Sequence, residues 1–259
     1  MVLDFRLQAL DFRLSGMNSA IIVAAGIGRR MAAAVLAHSG APQGAGVDKL
    51  WLEVAGRPVV AHSWQRFDDA KCVDEIILVV RQEMQDEFTK LAAQFKFQKP
   101  FRLVAGGAER QDSVWNGLDA VSPKTEIAAI HDAARPCVTE ELIAATIVAA
   151  RETGAAVAAQ PVTDTIKETA DGKIISRTVD RSKLWSVQTP QTFRVEIIRR
   201  AIAAARQKNL VLTDDTAACE LIGQPVQLVH GKAPNPKVTV PGDLPFVEAL
   251  LRQAANVRK

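Results

Sequence analysis

A glycine turn that carries two arginines is the strongest chemical signal in this chain of 259 residues. Residues 20–31 read AIIVAAGIGRRM, an apolar run followed by Gly26, Gly28, Arg29 and Arg30. Glycine lets the backbone come close to a ligand, and guanidinium groups beside exposed N–H donors suit a polyphosphate. A solvated basic turn at a strand end is the simpler alternative. The segment favours a phosphate-binding turn.

This turn differs from two familiar phosphate-binding motifs. A dinucleotide-binding turn needs a third glycine where Met31 stands, and an acidic residue after the second strand. The apolar run 75–80 (EIILVV) predicts that strand, and Arg81 and Gln82 follow it. A P-loop needs Gly-Lys-Ser/Thr, which does not occur in the sequence. The turn therefore belongs to neither motif.

A second polar motif, HDAARPC (131–137), follows another apolar run. The carboxylate of Asp132 at a strand end can hold a ribose hydroxyl or a magnesium-bound water. Arg135 can bind phosphate or fix the loop, and an Asp132–Arg135 ion pair is the structural alternative. We interpret His131 as a hydrogen-bonded structural residue rather than a base.

Other polar groups give weaker signals individually. In GGAERQDSV (106–114) the two glycines permit close backbone approach. Ser113 is predicted to cap a helix. The more specific alternative is that Ser113 recognises the base of a nucleotide. Thr213 can cap a helix over 214–222, and Lys237 can be a solvated surface lysine.

Composition limits the classes of function. The net charge is +3, with 32 basic and 29 acidic residues, and no Lys/Arg run exceeds two residues. This favours small anionic ligands over a nucleic acid, which needs clustered charge. No apolar stretch approaches the ~20 residues of a membrane span, so we expect no membrane partner. Cys72, Cys137 and Cys219 lack metal-ligand spacing and indicate buried thiols in a reducing cytoplasm.

Strand and helix patterns alternate along the chain, which predicts an α/β fold with a mostly parallel central sheet. Ligands of such sheets bind beyond the carboxyl ends of the strands, where the motifs above lie. The predicted strands are 20–25, 75–80, 101–104, 127–131 and 155–160, and the predicted helices are 58–67, 82–95, 113–121 and 139–152.

Three segments break this alternation. Residues 1–16, with LDFRL repeated, are predicted to be a disordered extension before a domain at 17–259. The small-residue segment 32–48 is predicted to be a mobile lid or a disordered insert. Within an arm at 162–187, strands 166–169 and 173–179 flank Asp-Gly, a hairpin signal. We expect the arm to project and pair with a second subunit; a simple surface excursion is the alternative.

The order of the motifs resembles one family closely: the 2-C-methyl-D-erythritol 4-phosphate cytidylyltransferases of the non-mevalonate isoprenoid pathway. The resemblance covers about residues 18–255 and is carried by AAGIGRRM, GGAERQDSV, HDAARPC, PVTDTIK, TVDR, TPQTF, TDD and NPKVTVPGDL. It implies a Rossmann-like three-layer nucleotidyltransferase fold and a cytoplasmic homodimer. It also implies that the sugar phosphate attacks the CTP α-phosphorus with magnesium present, releasing pyrophosphate without a covalent enzyme intermediate.

The resemblance also implies roles for individual residues. Arg30 and Lys49 match the family's transition-state cations, and Arg181 and Lys237 match the pair that positions the substrate phosphate. The implied CTP-binding residues are Ala24, Ala25, Gly26, Gly28, Gly107, Arg110, Ser113, Asp132 and Ala133. The other implied substrate-binding residues are Asp132, Arg135, Thr165, Thr189 and Thr213, and Asp132 is also the implied metal ligand.

The sequence departs from the family pattern at two functional places. Asp48-Lys49-Leu50 stands where the family has Pro-Lys-Gln, after a longer loop, and Asn235-Pro236-Lys237 stands for Asn-Ile-Lys. Two rival hypotheses stay open. One is a cytidylyltransferase for another polyol phosphate, such as ribitol 5-phosphate. The other is a nucleotide-binding protein without catalytic activity.

Overall fold

The computed structural model of the protein describes residues 16–26 and 48–257. Three groups of predictions lie outside these residues: those for the extension before residue 16, for Gly28 and Arg30, and for nearly all of the 32–48 segment.

A seven-stranded sheet forms the centre of the fold. Its strands are β1 (Met17–Val23), β4 (Glu75–Val80), β5 (Phe101–Ala105), β6 (Thr125–Asp132), β7 (Ala155–Pro161), β10 (Trp185–Arg194) and β11 (Gln227–His230). They lie in the order β11-β7-β10-β6-β1-β4-β5. Only β10 runs antiparallel to its neighbours, β6 and β7, among the described strands of this sheet. The mostly parallel sheet predicted from the alternation is therefore confirmed.

Helices cover both faces of the sheet. Alternate residues of a strand point to opposite faces, and in β1 Ala20 and Ile22 join one core cluster while Ile21 joins the other. One face packs against α1 (Val59–Asp69), α2 (Gln85–Phe95), α4 (Glu140–Thr153) and α7 (Leu244–Val257). The other face packs against α3 (Arg110–Ala120), α5 (Val195–Gln207) and α6 (Asp215–Leu221). The result is the three-layer α/β architecture that the resemblance implied.

Two predicted helix caps are wrong. Helix α3 begins at Arg110 rather than Ser113, because Glu109 and Asp112 form a capping box at its start. Helix α6 is capped by Asp214, whose carboxylate accepts a hydrogen bond from Ala217 N at 3.0 Å, and not by Thr213. In both cases an acidic side chain next to the predicted residue satisfies the free N–H groups.

The predicted hairpin is present, but its connection is longer than a two-residue turn. β8 (Ile166–Thr169) pairs antiparallel with β9 (Ile175–Val179), separately from the central sheet. The Asp171 carboxylate accepts hydrogen bonds from Lys173 N and Ile174 N at 2.8 and 2.9 Å. These two bonds hold the chain in a loop, so β9 begins later than the predicted 173. A second short pair, β2 (Glu53–Val54) with β3 (Arg57–Pro58), leads into α1.

The three cysteines are buried free thiols, as the sequence indicated. Burial raises the pKa of Cys72 and Cys137 to about 11, which keeps both protonated near neutral pH. Among the described residues, no helix combines the length and the apolar character that a membrane span requires.

Candidate active site

The loops after three central strands are tied together at the carboxyl edge of the sheet. Ala24 N donates to Val79 O at 2.7 Å, and Gly106 N donates to Val80 O at 2.8 Å. Ala133 N donates to Val23 O at 3.1 Å. The GGAERQDSV and HDAARPC motifs therefore flank the end of β1, as expected for a ligand-binding edge.

The glycine pair is packed against protein atoms. A Cβ at Gly106 would lie 2.3 Å from the Ala25 Cβ, and one at Gly107 would lie 2.3 Å from the Asp112 Cβ. Gly107 N donates to Ser113 Oγ at 3.1 Å, so Ser113 fixes this turn although it does not cap the helix. The pair lets the turn lie close to the end of β1.

Asp132, at the end of β6, is the centre of a cluster of charges. Its carboxylate accepts a hydrogen bond from Lys237 Nζ at 2.6 Å and one from Arg110 Nε at 3.4 Å, whereas Arg135 Nε lies 3.9 Å away. Burial alone would raise the pKa of Asp132, but the charges of Arg110 and Lys237 hold that pKa well below its usual range. The carboxylate is therefore ionised at neutral pH, and Lys237 is not a solvated surface lysine.

Arg110 is shared between two carboxylates. Its Nη1 donates to Asp215 Oδ2 at 2.8 Å, and Asp215 is only 1% exposed. Burial would lower the pKa of Arg110, but Asp215 and Asp132 raise it further above its ordinary value. No separate role for Asp215 was predicted from the sequence. The only signal for it was its place in the Thr-Asp-Asp motif.

Lys49 also reaches this edge. Its Nζ donates to Val238 O at 2.9 Å, and Val238 N donates to Ala134 O at 2.8 Å. The lysine that follows the long insertion thus lies against the segment that carries Lys237. The neighbouring Asp48 forms an ion pair with Arg81 at 2.7 Å, which holds the end of the insertion next to β4.

Three other predicted residues lie apart from this cluster. Arg181 is exposed in a short turn after β9, and its guanidinium donates to the Thr163 carbonyl. Thr165 and Thr213 are exposed as well. Among the described residues, no hydrogen bond or ion pair joins these three to Asp132.

Three remaining motif residues make hydrogen bonds within the protein. His131 is fully buried, and burial lowers its pKa to about 4, so its ring is neutral near pH 7. This agrees with its interpretation as a hydrogen-bonded residue rather than a base. Arg135 Nη1 donates to Asn235 O at 2.8 Å, which fixes the loop. Thr189 is 3% exposed and its hydroxyl contacts the same loop.

The donor set limits how a divalent metal could be held. Among the described residues, no three His, Cys, Asp or Glu side chains come together as a metal site. Mg²⁺ is commonly bound by one or two carboxylates together with phosphate oxygens and water. A single carboxylate at Asp132 fits that kind of site and does not fit a metal bound by protein groups alone.

A three-layer α/β domain that pairs Arg110 and Lys237 with one carboxylate at the carboxyl edge of its sheet, and holds Lys49 against the segment of Lys237, is an enzyme fold suited to phosphate transfer. The chain belongs to the 2-C-methyl-D-erythritol 4-phosphate cytidylyltransferase family, whose profile matches residues 18–253. It is accordingly a nucleotidyltransferase.

Individual relatives agree over most of the chain. The enzyme of that name from Alkaliphilus oremlandii is 42% identical, over 91% of this chain and 95% of its own. That from Geobacillus kaustophilus is 42% identical, over 90% and 96%. The crystal structure of the Thermus thermophilus enzyme superposes with a TM-score of 0.72 at 32% identity, covering 91% of this chain and all of that one. The synthase structure from Anaerococcus prevotii gives 0.77 at 30% identity, covering 92% and 96%.

Proposed function

We propose that this chain transfers CMP from CTP to 2-C-methyl-D-erythritol 4-phosphate. The products are 4-CDP-2-C-methyl-D-erythritol and pyrophosphate, in non-mevalonate isoprenoid precursor biosynthesis. The observation that carries the proposal is the pairing of Arg110 and Lys237 with Asp132 at the carboxyl edge, with Lys49 bonded to Val238 beside Lys237, within a chain of this family. A nucleotide-binding protein without catalytic activity has no need for this set of cations.

The chemistry requires two anions to approach one another. A phosphate oxygen of the sugar phosphate attacks the α-phosphorus of CTP, and the bond to the pyrophosphate oxygen breaks. The nucleophile is already anionic near neutral pH, so no strong general base is needed. Catalysis then consists of neutralising charge and fixing an in-line geometry. The buried, neutral His131 is consistent with a mechanism that needs no base.

Each cation has a place in this mechanism. Lys237 and Arg181 would bind the phosphate of the sugar, and Lys49 and Arg30 would neutralise charge at the α-phosphorus. Arg110 would contact CTP. Backbone and small side chains after β1 and β5 would surround the nucleotide: Ala24, Ala25, Gly26, Gly28, Gly107 and Ser113. Asp132 and Ala133 would lie at the ribose, and Thr165 and Thr213 would contact the polyol.

Magnesium would be held by the Asp132 carboxylate together with oxygens of the triphosphate. Bound there, it would supply positive charge to the phosphates. Lys237 now occupies one oxygen of Asp132 at 2.6 Å. A phosphate that binds Lys237 would therefore also release that carboxylate oxygen.

A continuous assay of pyrophosphate release tests the substrate directly. The protein is supplied with CTP and magnesium, and 2-C-methyl-D-erythritol 4-phosphate is compared with ribitol 5-phosphate and other polyol phosphates. We expect the highest kcat/KM for the methylerythritol phosphate. A preference for ribitol 5-phosphate would support the rival cytidylyltransferase, and no pyrophosphate with any acceptor would support a nucleotide-binding protein.

We further propose that the enzyme is a cytoplasmic homodimer built through the hairpin arm. Ile174 and Ile175 at the tip of the arm are 73% and 60% exposed, which is unusual for isoleucine pairs. A second copy of the chain would cover them and would bring Thr165 of one arm toward the site of its partner. The alternative is an arm that is only a surface excursion.

Deleting residues 166–175 is expected to yield a monomer and to abolish activity together. Light scattering and the pyrophosphate assay measure the two effects on one sample. Replacing Ile174 and Ile175 with serine should weaken the dimer in the same direction. The control is Phe246→Ser, which removes an apolar side chain of 54% exposure in helix α7, outside the arm. An active monomer would contradict the shared site.

A further inference from the structure

We propose that His131 is a positioning residue, whose imidazole joins β10 to the HDAARPC loop and so holds Asp132 and Lys237 in their geometry. The proposal rests on the proposed function, because it explains how the groups assigned to cytidylyl transfer are aligned. His131 is fully buried and cannot touch a substrate itself. Any effect it has must pass through its neighbours.

The hydrogen-bond directions at His131 follow from its partners. His131 Nε2 lies 3.1 Å from the Arg135 carbonyl oxygen, which can only accept, so Nε2 carries the hydrogen. Thr189 Oγ1 accepts from Asp132 N at 3.1 Å and lies 3.0 Å from His131 Nδ1. The threonine hydroxyl therefore donates to Nδ1. The ring is locked as the Nε2–H tautomer with both nitrogens occupied.

The same contacts extend to the segment of Lys237. Asn235 Nδ2 donates to the Thr189 carbonyl at 2.8 Å, and the Asn235 carbonyl accepts from Arg135 Nη1 at 2.8 Å. The histidine ring also packs on Phe67, with ring centroids 4.8 Å apart. Three separate parts of the chain, at 131–135, 189 and 235–237, are thus held by one buried hydrogen-bonded network.

The network provides a reason why the hydroxyl of Thr189 matters. Because that hydroxyl is occupied by His131 and the Asp132 backbone, it orients the loop rather than contacting the polyol. Loss of the hydroxyl leaves Asp132 N and His131 Nδ1 without partners inside the protein. A buried unpaired polar group is costly, so the loop must shift to satisfy them. Asp132 and Lys237 shift with it.

The first test uses the unmodified protein and no activity. Nitrogen-15 NMR of the histidine rings reports which ring nitrogen carries the hydrogen. We expect the buried histidine, assigned through loss of its signal in His131→Gln, to be the Nε2–H tautomer. A ring with its hydrogen on Nδ1 would overturn the proposal whether or not the protein has cytidylyltransferase activity.

The second test compares matched variants of two buried threonines on β10. Thr189→Val removes the hydroxyl bonded to His131, and Thr192→Val removes one bonded to Thr146 Oγ1 at 3.0 Å, away from the site. We expect Thr189→Val to lower kcat/KM for the sugar phosphate by up to ~10²-fold, as misplacement of reacting groups does. Thr192→Val should keep the wild-type kinetics, and Thr189→Ser should restore them.

Hydrogen exchange separates positioning from direct substrate contact. In Thr189→Val the Asp132 amide should exchange faster than in wild type, and in Thr189→Ser it should not, with no substrate present. Equal kinetic losses in Thr189→Val and Thr192→Val, or no rescue by serine, would overturn the positioning role. An inactive wild type would overturn the proposed function instead, while the tautomer and the exchange rates would still decide this inference.

Discussion

The two ends of the central sheet each hold a buried carboxylate, and the partners of the two carboxylates differ. At the amino end, Glu75 is 4% exposed, and one carboxylate oxygen accepts from Ser19 Oγ and Ser122 N, both at 2.7 Å. At the carboxyl end, Asp132 is paired with Arg110 and Lys237. One carboxylate is satisfied by neutral donors and the other by charges.

This difference separates stability from function. The donors to Glu75 are a serine hydroxyl and a backbone N–H, both uncharged groups of the protein itself, and Ser19 Oγ also lies 2.7 Å from Thr125 Oγ1. The side chains of Arg110 and Lys237 are 29% and 33% exposed, so these cations can still reach a ligand. Because phosphate and carboxylate are alternative partners for the same cations, the carboxyl end is prepared to bind anions. The amino end, where neutral donors satisfy Glu75, is not prepared in this way.

The largest effect is expected at Lys49, on the carboxyl end. Loss of one preorganised cation at the reacting phosphorus costs about 10²–10³ in kcat, and we expect Lys49→Ala to fall in that range with an unchanged unfolding midpoint. Steady-state kinetics and urea unfolding measure both quantities. Lys90→Ala, on the exposed face of α2, is the control. A normal kcat in Lys49→Ala would show that another residue meets the triphosphate.

A smaller effect is expected for Asp215, which touches Arg110 but not the proposed substrates. Asp215→Asn keeps the shape and replaces a charge-assisted hydrogen bond by a weaker one, a difference of about 1 kcal/mol. We expect a several-fold rise in KM for CTP. The control is Asp119→Asn, which weakens a surface pair with Arg199 at 2.6 Å. Equal kinetics in the two variants would place Arg110 outside the CTP site.

At the amino end the expected effect on catalysis is nil. Glu75→Ala removes the acceptor of the half-buried Ser122 N and one of the two partners of Ser19 Oγ, which keeps Thr125 Oγ1 at 2.7 Å. The loss of these bonds to a charged group should lower the free energy of unfolding by about 1–3 kcal/mol. The folded protein should keep its kcat. Glu83→Ala, at a carboxylate whose side chain is 70% exposed, should change the unfolding free energy little. A reduced kcat in Glu75→Ala would contradict the claim that the amino end serves stability and only the carboxyl end serves catalysis.

Local patterns were enough to predict five of the seven strands of the central sheet and the edge at which the site lies, but not β10 or β11. A continuous apolar run such as 75–80 fits a parallel strand that is covered on both faces. Because parallel strands end on one edge of the sheet, the position of Asp132 at that edge could be predicted from the order of the elements. The cap at Glu109 was missed because Ser113 is the stronger capping residue by type, whereas the reciprocal pair with Asp112 decides the helix start.

Pairings across the chain could not be predicted from local patterns. Asp132 meets Lys237 and Arg110 meets Asp215, and each pair is 105 residues apart in sequence. The role of Lys237 came from the resemblance alone, and neither Asp215 nor the His131–Thr189 contact was predicted. Such contacts depend on how β6, β10 and the 235–238 segment come together in the fold, and a short sequence motif carries no information about that arrangement.

The most direct test of the account is the pair of KM values for Lys237→Met. If Lys237 leaves Asp132 to bind the phosphate of the sugar, the loss of one charge-assisted hydrogen bond should raise KM for 2-C-methyl-D-erythritol 4-phosphate roughly 10–150-fold. KM for CTP should stay near the wild-type value, because Arg110 still pairs with Asp132. Equal increases for both substrates would contradict the assignment of Lys237 to the sugar phosphate.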